Sequence, residues 1–322
     1  MSHVVWSGTS HALPRCLFLT EQLRKEGTLG PPGSLATPLQ PTEPYLRLSN
    51  GMAVPQLAFG LYKVPADETG EAIVRQAVEA GYRHFDGASF YGNEAVVGKA
   101  LRESGVPRKD LFLVGKVWND AVKEGRDAVR KSVLDSLAAL NFGDYFDLFL
   151  VHWPVPGYFV EAYRELEDLQ REGRIRALGV SNFSEVEYET LVNSGITIRP
   201  VVNQLEVSPV MYRASLVDYF QSRGIAVAAY KSLNRGAAME NPVLLVIANR
   251  HGATPAQVMI RWGLQKKLIV VAKTSSAKRM AENRDVNGFT LTDEEMQQLD
   301  SLTTEAALEE RVAHEHMRKT SL

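Results

Sequence analysis

The sequence predicts an α/β protein, and within that class a closed (β/α)8 barrel of the TIM type, preceded by a short N-terminal β-hairpin and a flexible extension. Two observations carry this. Eight short apolar runs of strand type, QLAFG, YRHFD, LFLVGKV, DLFLVH, IRALGV, PVVNQ, IAVAA and LIVVA, recur along the chain, with amphipathic helical segments between them. That alternation implies parallel strands joined by helical crossovers, and eight such strands can close on themselves. The alternative is an open doubly wound sheet, whose first strand commonly runs into a G-x-G-x-x-G turn; the chain contains no such turn. VGKV and VGKA also lack the spacing of a Walker A phosphate loop.

The size and composition agree. The chain has 322 residues, 45% hydrophobic and 23% charged, as in an ordinary globular protein and with the length of one barrel domain. A formal net charge of -2 provides no global positive field for nucleic acid or an anionic membrane. Cys16 is the only cysteine, which excludes an intrachain disulfide and a Cys-based metal site and fits a reducing compartment. No apolar run approaches the roughly 18 residues of a spanning helix.

Residues 1–44 lack sustained periodicity, and Pro31 to Pro44, PPGSLATPLQPTEP, resists helix and sheet. They read as the flexible extension. An organelle-targeting peptide is the rival reading and is not favoured. Glu21, Glu26 and Glu43 offset Arg15, Arg24 and Lys25, and the apolar part around Leu17 to Leu19 is short for a signal-peptide core. From Tyr45, YLRL and MAVP flank Ser49-Asn50-Gly51, where Asn-Gly suits a tight hairpin turn. The barrel is expected within residues 45–305, with 306–322 as a C-terminal tail. Its helices announce themselves. Ile73 and Ala77 recur at helical spacing ahead of Gly81, a helix stop, and Val129, Val133, Leu137 and Leu140 form an apolar stripe. Ser184 with Glu187 and Thr292 with Glu295 are capping-box patterns, and Thr254-Pro255 is a cap followed by proline at the first turn. Asn93 is placed to cap the helix after the second barrel strand, with Glu94 in its first turn.

In a barrel, chemistry gathers at the C-terminal ends of the strands. Asp86 ends the second strand, in FDGASFYGNE, with Tyr91 on the loop beyond it; Lys116 ends the third and His152 the fourth. Each alone has an ordinary structural explanation. Together they place four ionisable groups at one mouth, two of them after strongly apolar runs where charge is costly unless paired. A phenol is a weak acid, with a reference pKa near 10, and a neighbouring ammonium is expected to lower it. Asp86 can be the counterion of that ammonium, and His152 can hydrogen-bond a substrate oxygen. The set suits proton donation to an oxygen gaining negative charge, as carbonyl reduction requires.

FDGASFYGNE, LVGKVW, LVHWPVP, LGVSNF and VVAKTSSAKRMAEN, in this order, closely resemble the aldo-keto reductase family, from about Tyr45 to about Leu302. The resemblance implies a (β/α)8 barrel that reduces aldehydes and ketones with NADPH. It puts the catalytic residues at Asp86, Tyr91, Lys116 and His152, with Tyr91 as general acid. It implies that Ser181, Asn182 and Gln204 hold the nicotinamide carboxamide and that Tyr230 stacks on the ring. Leu233 then belongs to a segment along the pyrophosphate. Lys273, Thr274 and Arg279 surround the 2′-phosphate, and Glu282 and Asn283 meet the adenine. Two cations and a hydroxyl do suit a phosphate dianion. Tyr62, Trp118 and Trp153, with His152, are implied to line the substrate pocket, whose aromatic faces suit apolar or ring-bearing carbonyls. A cytoplasmic monomer is the state the family implies.

The chain departs from the family pattern in places. Many relatives read Ser-Pro-Leu-Gly after the seventh strand, where this chain has Lys231-Ser232-Leu233-Asn234. Lys231 either adds a cation near the pyrophosphate or obstructs closure over it. Gly87 replaces a threonine common after the catalytic aspartate, and Leu61 replaces a polar residue of some relatives. Residues 306–322 have no clear family counterpart. Their His314 and His316 form an H-x-H pair, read here as solvated rather than metal-binding. The alternative function is a cofactor-binding regulatory subunit of the same fold with little turnover, as in potassium-channel β subunits.

Overall fold

The computed structural model describes residues 44–320. The expected extension, with Cys16 and nearly all of the proline-rich run, lies outside the described residues. The hairpin forms where Asn-Gly was expected to turn the chain: β1 (Tyr45–Arg47) pairs antiparallel with β2 (Ala53–Pro55), Leu46 opposite Val54, and Gly51 takes φ 86°. The eight predicted runs become β3 (Leu57–Gly60), β4 (His84–Asp86), β5 (Phe112–Val117), β6 (Leu148–Val151), β7 (Leu178–Ser181), β8 (Val202–Glu206), β9 (Ala226–Tyr230) and β10 (Ile269–Ala272). All neighbours are parallel, and β10 pairs with both β9 and β3, closing the barrel.

Strand alternation explains what each side chain does. In β5, Leu113 and Val117 pack outward into the layer shared with the helices, while Phe112 and Val114 pack inward. The inner cluster also contains Leu148 and Leu150 of β6, Val202 of β8, Ile269 of β10, and Leu48 and Val54 of the hairpin. The hairpin therefore closes the N-terminal end of the barrel. Continuing each inward set by two residues reaches Lys116, His152, Gln204 and, in β9 after Ala228, Tyr230. One apolar-in pattern thus builds the floor and aims polar groups at the opposite end.

The helices start as their sequences predict. Capping boxes form at Ser184, Thr254 and Thr292, and Asp67 accepts from the backbone N–H groups of Thr69 and Gly70. Asn93 differs. It stands at the start of the Glu94–Glu103 helix, but its side chain makes no cap there. Its amide instead donates to the carbonyls of Leu61 and Val64, at 3.0 and 2.9 Å. Two buried carbonyls left without a donor outweigh one helix-end N–H. Gly98 lets that helix meet the end of the Arg126–Leu140 helix: a Cβ there would lie 1.8 Å from the Leu140 carbonyl oxygen. Gly98→Ala is expected to lose about 1–3 kcal/mol of stability through overpacking. The check is the urea midpoint, and an unchanged midpoint would refute this close approach.

The segment expected as a tail contains a 16-residue helix, Glu305–Thr320. No described helix is long and apolar enough to cross a membrane.

Candidate active site

The polar strand ends meet around one buried cation. Lys116 is fully buried, and its Nζ donates to Asp86 Oδ2 at 2.8 Å, to the Gly87 carbonyl at 2.7 Å and to the Tyr91 hydroxyl at 3.4 Å. The second carboxylate oxygen of Asp86 accepts from Gln204 Nε2 at 2.7 Å. Tyr91 sits at the end of a short 3-10 turn, Ser89–Tyr91, which Ser89 ties to β5 by donating to the Lys116 carbonyl. Gly92 follows at φ 65° and turns the chain into the next helix. His152 lies edge-on to Tyr91 and to Trp118, at ring separations of 6.0 and 4.9 Å. Its Nδ1 is buried without a hydrogen-bond partner among the described residues, while the ring's exposed part lines the cavity.

Burial dominates the protonation of this cluster. It pushes the Tyr91 phenol well above the ordinary tyrosine value, with the Asp86 carboxylate and then the Tyr230 and Tyr62 phenols acting in the same direction. The sequence reading expected the ammonium to lower that phenol; burial wins, and Tyr91 is a protonated donor at neutral pH. Burial also depresses Lys116, opposed by the Asp86 charge and hydrogen bond. His152 is held well below its ordinary value by burial, then by the positive charges of Lys116 and Arg318, so it is neutral.

A cavity of about 1230 Å³ runs from this cluster to the far side of β10. Near the cluster it is walled by Tyr62, Trp118 and Trp153. Its middle is lined by Ser181, Asn182, Gln204, Tyr230 and Leu233, and its far end by Lys273, Thr274, Arg279, Glu282 and Asn283. Every site residue expected from sequence except Lys116 lines this one cavity, and Lys116 meets it through Asp86 and Tyr91. The far end fits a phosphate dianion. Neither Lys273 nor Arg279 has a carboxylate partner among the described residues, and Lys273 Nζ donates to Ser275 Oγ at 2.9 Å. The backbone of the Ala277–Arg284 helix begins beside them.

The middle is more committed than expected. Asn182, at φ 63°, uses its whole amide within the protein. Its Nδ2 donates to the His152 carbonyl and Ser181 Oγ, both at 3.0 Å; its Oδ1 accepts from the Tyr230 hydroxyl at 2.8 Å and from Arg311 at 2.9 Å. Lys231 also has a partner: its Nζ pairs with Glu206 at 2.7 Å.

The chain matches the Aldo/keto reductase family over residues 56–304. It belongs to that family. An aldo-keto reductase of Mycolicibacterium smegmatis is 41% identical over 264 residues, covering 81% of this chain and 94% of the relative. Glyoxal reductase of Bacillus subtilis is 37% identical and covers 80% of this chain and 92% of its own. The crystal structure of a Bombyx mori aldo-keto reductase in complex with NADP superposes with TM-score 0.74 at 34% identity, covering 81% of this chain and 93% of that one. NADP(H), the cofactor expected from sequence, is the cofactor of the family.

This aldo-keto reductase also places residues at the cavity that sequence reasoning missed. Phe90 stacks on Trp118 at a ring separation of 3.8 Å and completes the aromatic wall. FDGASFYGNE contained it, beside the tyrosine that drew attention. His314 and Arg318 come from the C-terminal helix, which also buries Arg311. Arg311 is 3% exposed and pairs with Glu206 at 2.8 Å and Glu315 at 2.7 Å, between the rings of Trp153 and Tyr230. The H-x-H pair is split: His314 packs near Trp153 at 6.1 Å, and His316 is exposed.

Proposed function

We propose that this aldo-keto reductase reduces aldehydes or ketones to alcohols with NADPH, with Tyr91 as the general acid. The observation that carries the reading is the contact of Tyr91 with the buried Lys116–Asp86 pair, beside a neutral histidine on the cavity wall. When bound, NADPH supplies the hydride taken up by the carbonyl carbon. His152 orients the carbonyl oxygen by hydrogen bonding. Tyr91 donates its proton to that oxygen as negative charge develops there. The Lys116 ammonium, 3.4 Å away, then faces the phenolate left behind, and Asp86 keeps the ammonium charged and in place.

The cofactor residues follow the same reading. Lys273, Thr274 and Arg279 take the 2′-phosphate, which favours NADPH over NADH. Glu282 and Asn283 meet the adenine, and the segment containing Leu233 lies along the pyrophosphate. Ser181 and Gln204 meet the carboxamide against Tyr230, and Asn182 joins them by exchanging one of its present partners. Tyr62, Trp118, His152 and Trp153 contact the substrate. One chain supplies every one of these groups, in keeping with a monomer, and the cytoplasm is the place of action we infer for it. The barrel of residues 45–305 is the catalytic domain, with 306–322 as its tail.

The pH dependence of kcat tests the acid. A general acid works while protonated, and activity falls as pH rises through its pKa. With Tyr91 raised above 10 and His152 lowered below 6.5, kcat is expected to stay level between those values. A loss centred near pH 7 would contradict both assignments.

A further inference from the structure

The C-terminal helix is fixed to the barrel mouth at several points, so the side chains it brings to the cavity are held there. Arg311 anchors it to Glu206 and Asn182. Arg213 reaches Glu315 at 3.1 Å, and Lys319 pairs with Glu187 at 2.7 Å. Close to the helix end, Asn119, which follows Trp118 of the aromatic wall, donates to the Arg318 carbonyl at 3.0 Å. Arg318 consequently stands at the rim of the substrate end of the cavity, among its lining residues.

Its charge is not compensated. Arg311 and Lys319, on the same helix, each have a carboxylate partner, whereas the Arg318 guanidinium has no ion pair or hydrogen bond among the described residues. Among the described residues the substrate end offers no spare acid. Asp86 is the acid of this end, and both its oxygens are engaged, by Lys116 and Gln204. Of the other acids on the cavity wall, Glu282 lies on the Ala277–Arg284 helix at the far end, beside Lys278 at 3.6 Å. Glu240 lies in the segment after β9 with Gly236 and Met239. Lys63, also on the cavity wall, lies 5.7 Å from the centre of the Tyr62 ring and helps depress Lys273. Arg318, in contrast, is close enough to the proton-transfer cluster for its charge to help keep His152 neutral.

We propose that Arg318 receives an anionic group on the carbonyl substrate, a carboxylate or a phosphate, so that short oxo acids or phosphorylated carbonyls are preferred to neutral aldehydes of the same size. The inference rests on the carbonyl-reductase reading above. An exposed guanidinium at the rim suits it: the fork grips either anion with two parallel hydrogen bonds, while the neighbouring rings take the short chain between anion and carbonyl.

The test uses two matched pairs, succinate semialdehyde against butanal and glyceraldehyde 3-phosphate against glyceraldehyde. The full chain, Arg318→Gln and Arg318→Lys are assayed with NADPH, with NADPH affinity as the control for folding. The quantity read is the ratio of kcat/KM for the charged over the neutral member. Arg318→Gln is expected to lower it about ten- to a hundredfold in at least one pair, mainly through KM, which is the span of a charge-assisted hydrogen bond. Arg318→Lys keeps most of the preference, and added salt weakens it in the parent. The pair that responds identifies the anion. A ratio unchanged in both pairs, with turnover intact, overturns the role of Arg318 and leaves carbonyl reduction standing. Absence of turnover with all four compounds removes the reductase reading and this inference with it.

Discussion

Tyr91→Phe is expected to lower kcat for aldehyde reduction by about 10²–10⁴-fold, the usual contribution of a positioned general acid, while NADPH binds as in the parent. The substitution removes one hydroxyl and keeps the ring. The ring's packing against Tyr62 at 5.2 Å and His152 at 6.0 Å is retained, so the fold has no reason to change. What disappears is the proton, held on the phenol by burial, and the acceptor that Lys116 meets at 3.4 Å. His152 cannot replace it, because burial and two nearby cations keep that imidazole neutral. The check is single-turnover reduction beside a fluorescence titration with NADPH. A variant that binds cofactor and reduces carbonyls at the parent rate would remove Tyr91 from the chemistry.

Lys116→Met is expected to affect both stability and rate. The lysine is 0% exposed and Asp86 4% exposed, and removing one partner leaves a buried carboxylate with only Gln204 to satisfy it. Breaking a buried pair from one side costs about 3–5 kcal/mol. A second substitution, Asp86→Asn, removes the stranded charge and is expected to recover part of that loss without restoring turnover. Denaturant midpoints separate the two effects. Recovery of activity in the double variant would mean that the pair is scaffold alone.

Much of this site is a consequence of strand alternation. Phe112, Val114 and Lys116 occupy successive inward positions of β5, and Leu148, Leu150 and His152 do so along and just beyond β6. An apolar run ending in a charge was therefore enough to place that charge at the mouth, and helices with capping boxes could be located from their first residues. Other features left no such trace. The Glu305–Thr320 helix buries Arg311 and Glu315, a charged stripe at helical spacing that reads as a solvated face until its partner Glu206 is known. Asn93 looked like a cap because the competing carbonyls of Leu61 and Val64 lie about thirty residues earlier in the chain. The two fates offered for Lys231 both concerned the pyrophosphate, whereas its partner is Glu206 at the end of β8.

The most direct test of the central claim is the loss of NADPH absorbance when the purified chain meets small reactive aldehydes, glyoxal and methylglyoxal among them, with NADH in parallel. The predicted result is turnover with NADPH in excess of that with NADH, one alcohol formed per NADPH consumed. Tight NADPH binding with no turnover of any carbonyl would contradict the account and assign the Lys116–Asp86–Tyr91 cluster to a regulatory protein of the same fold.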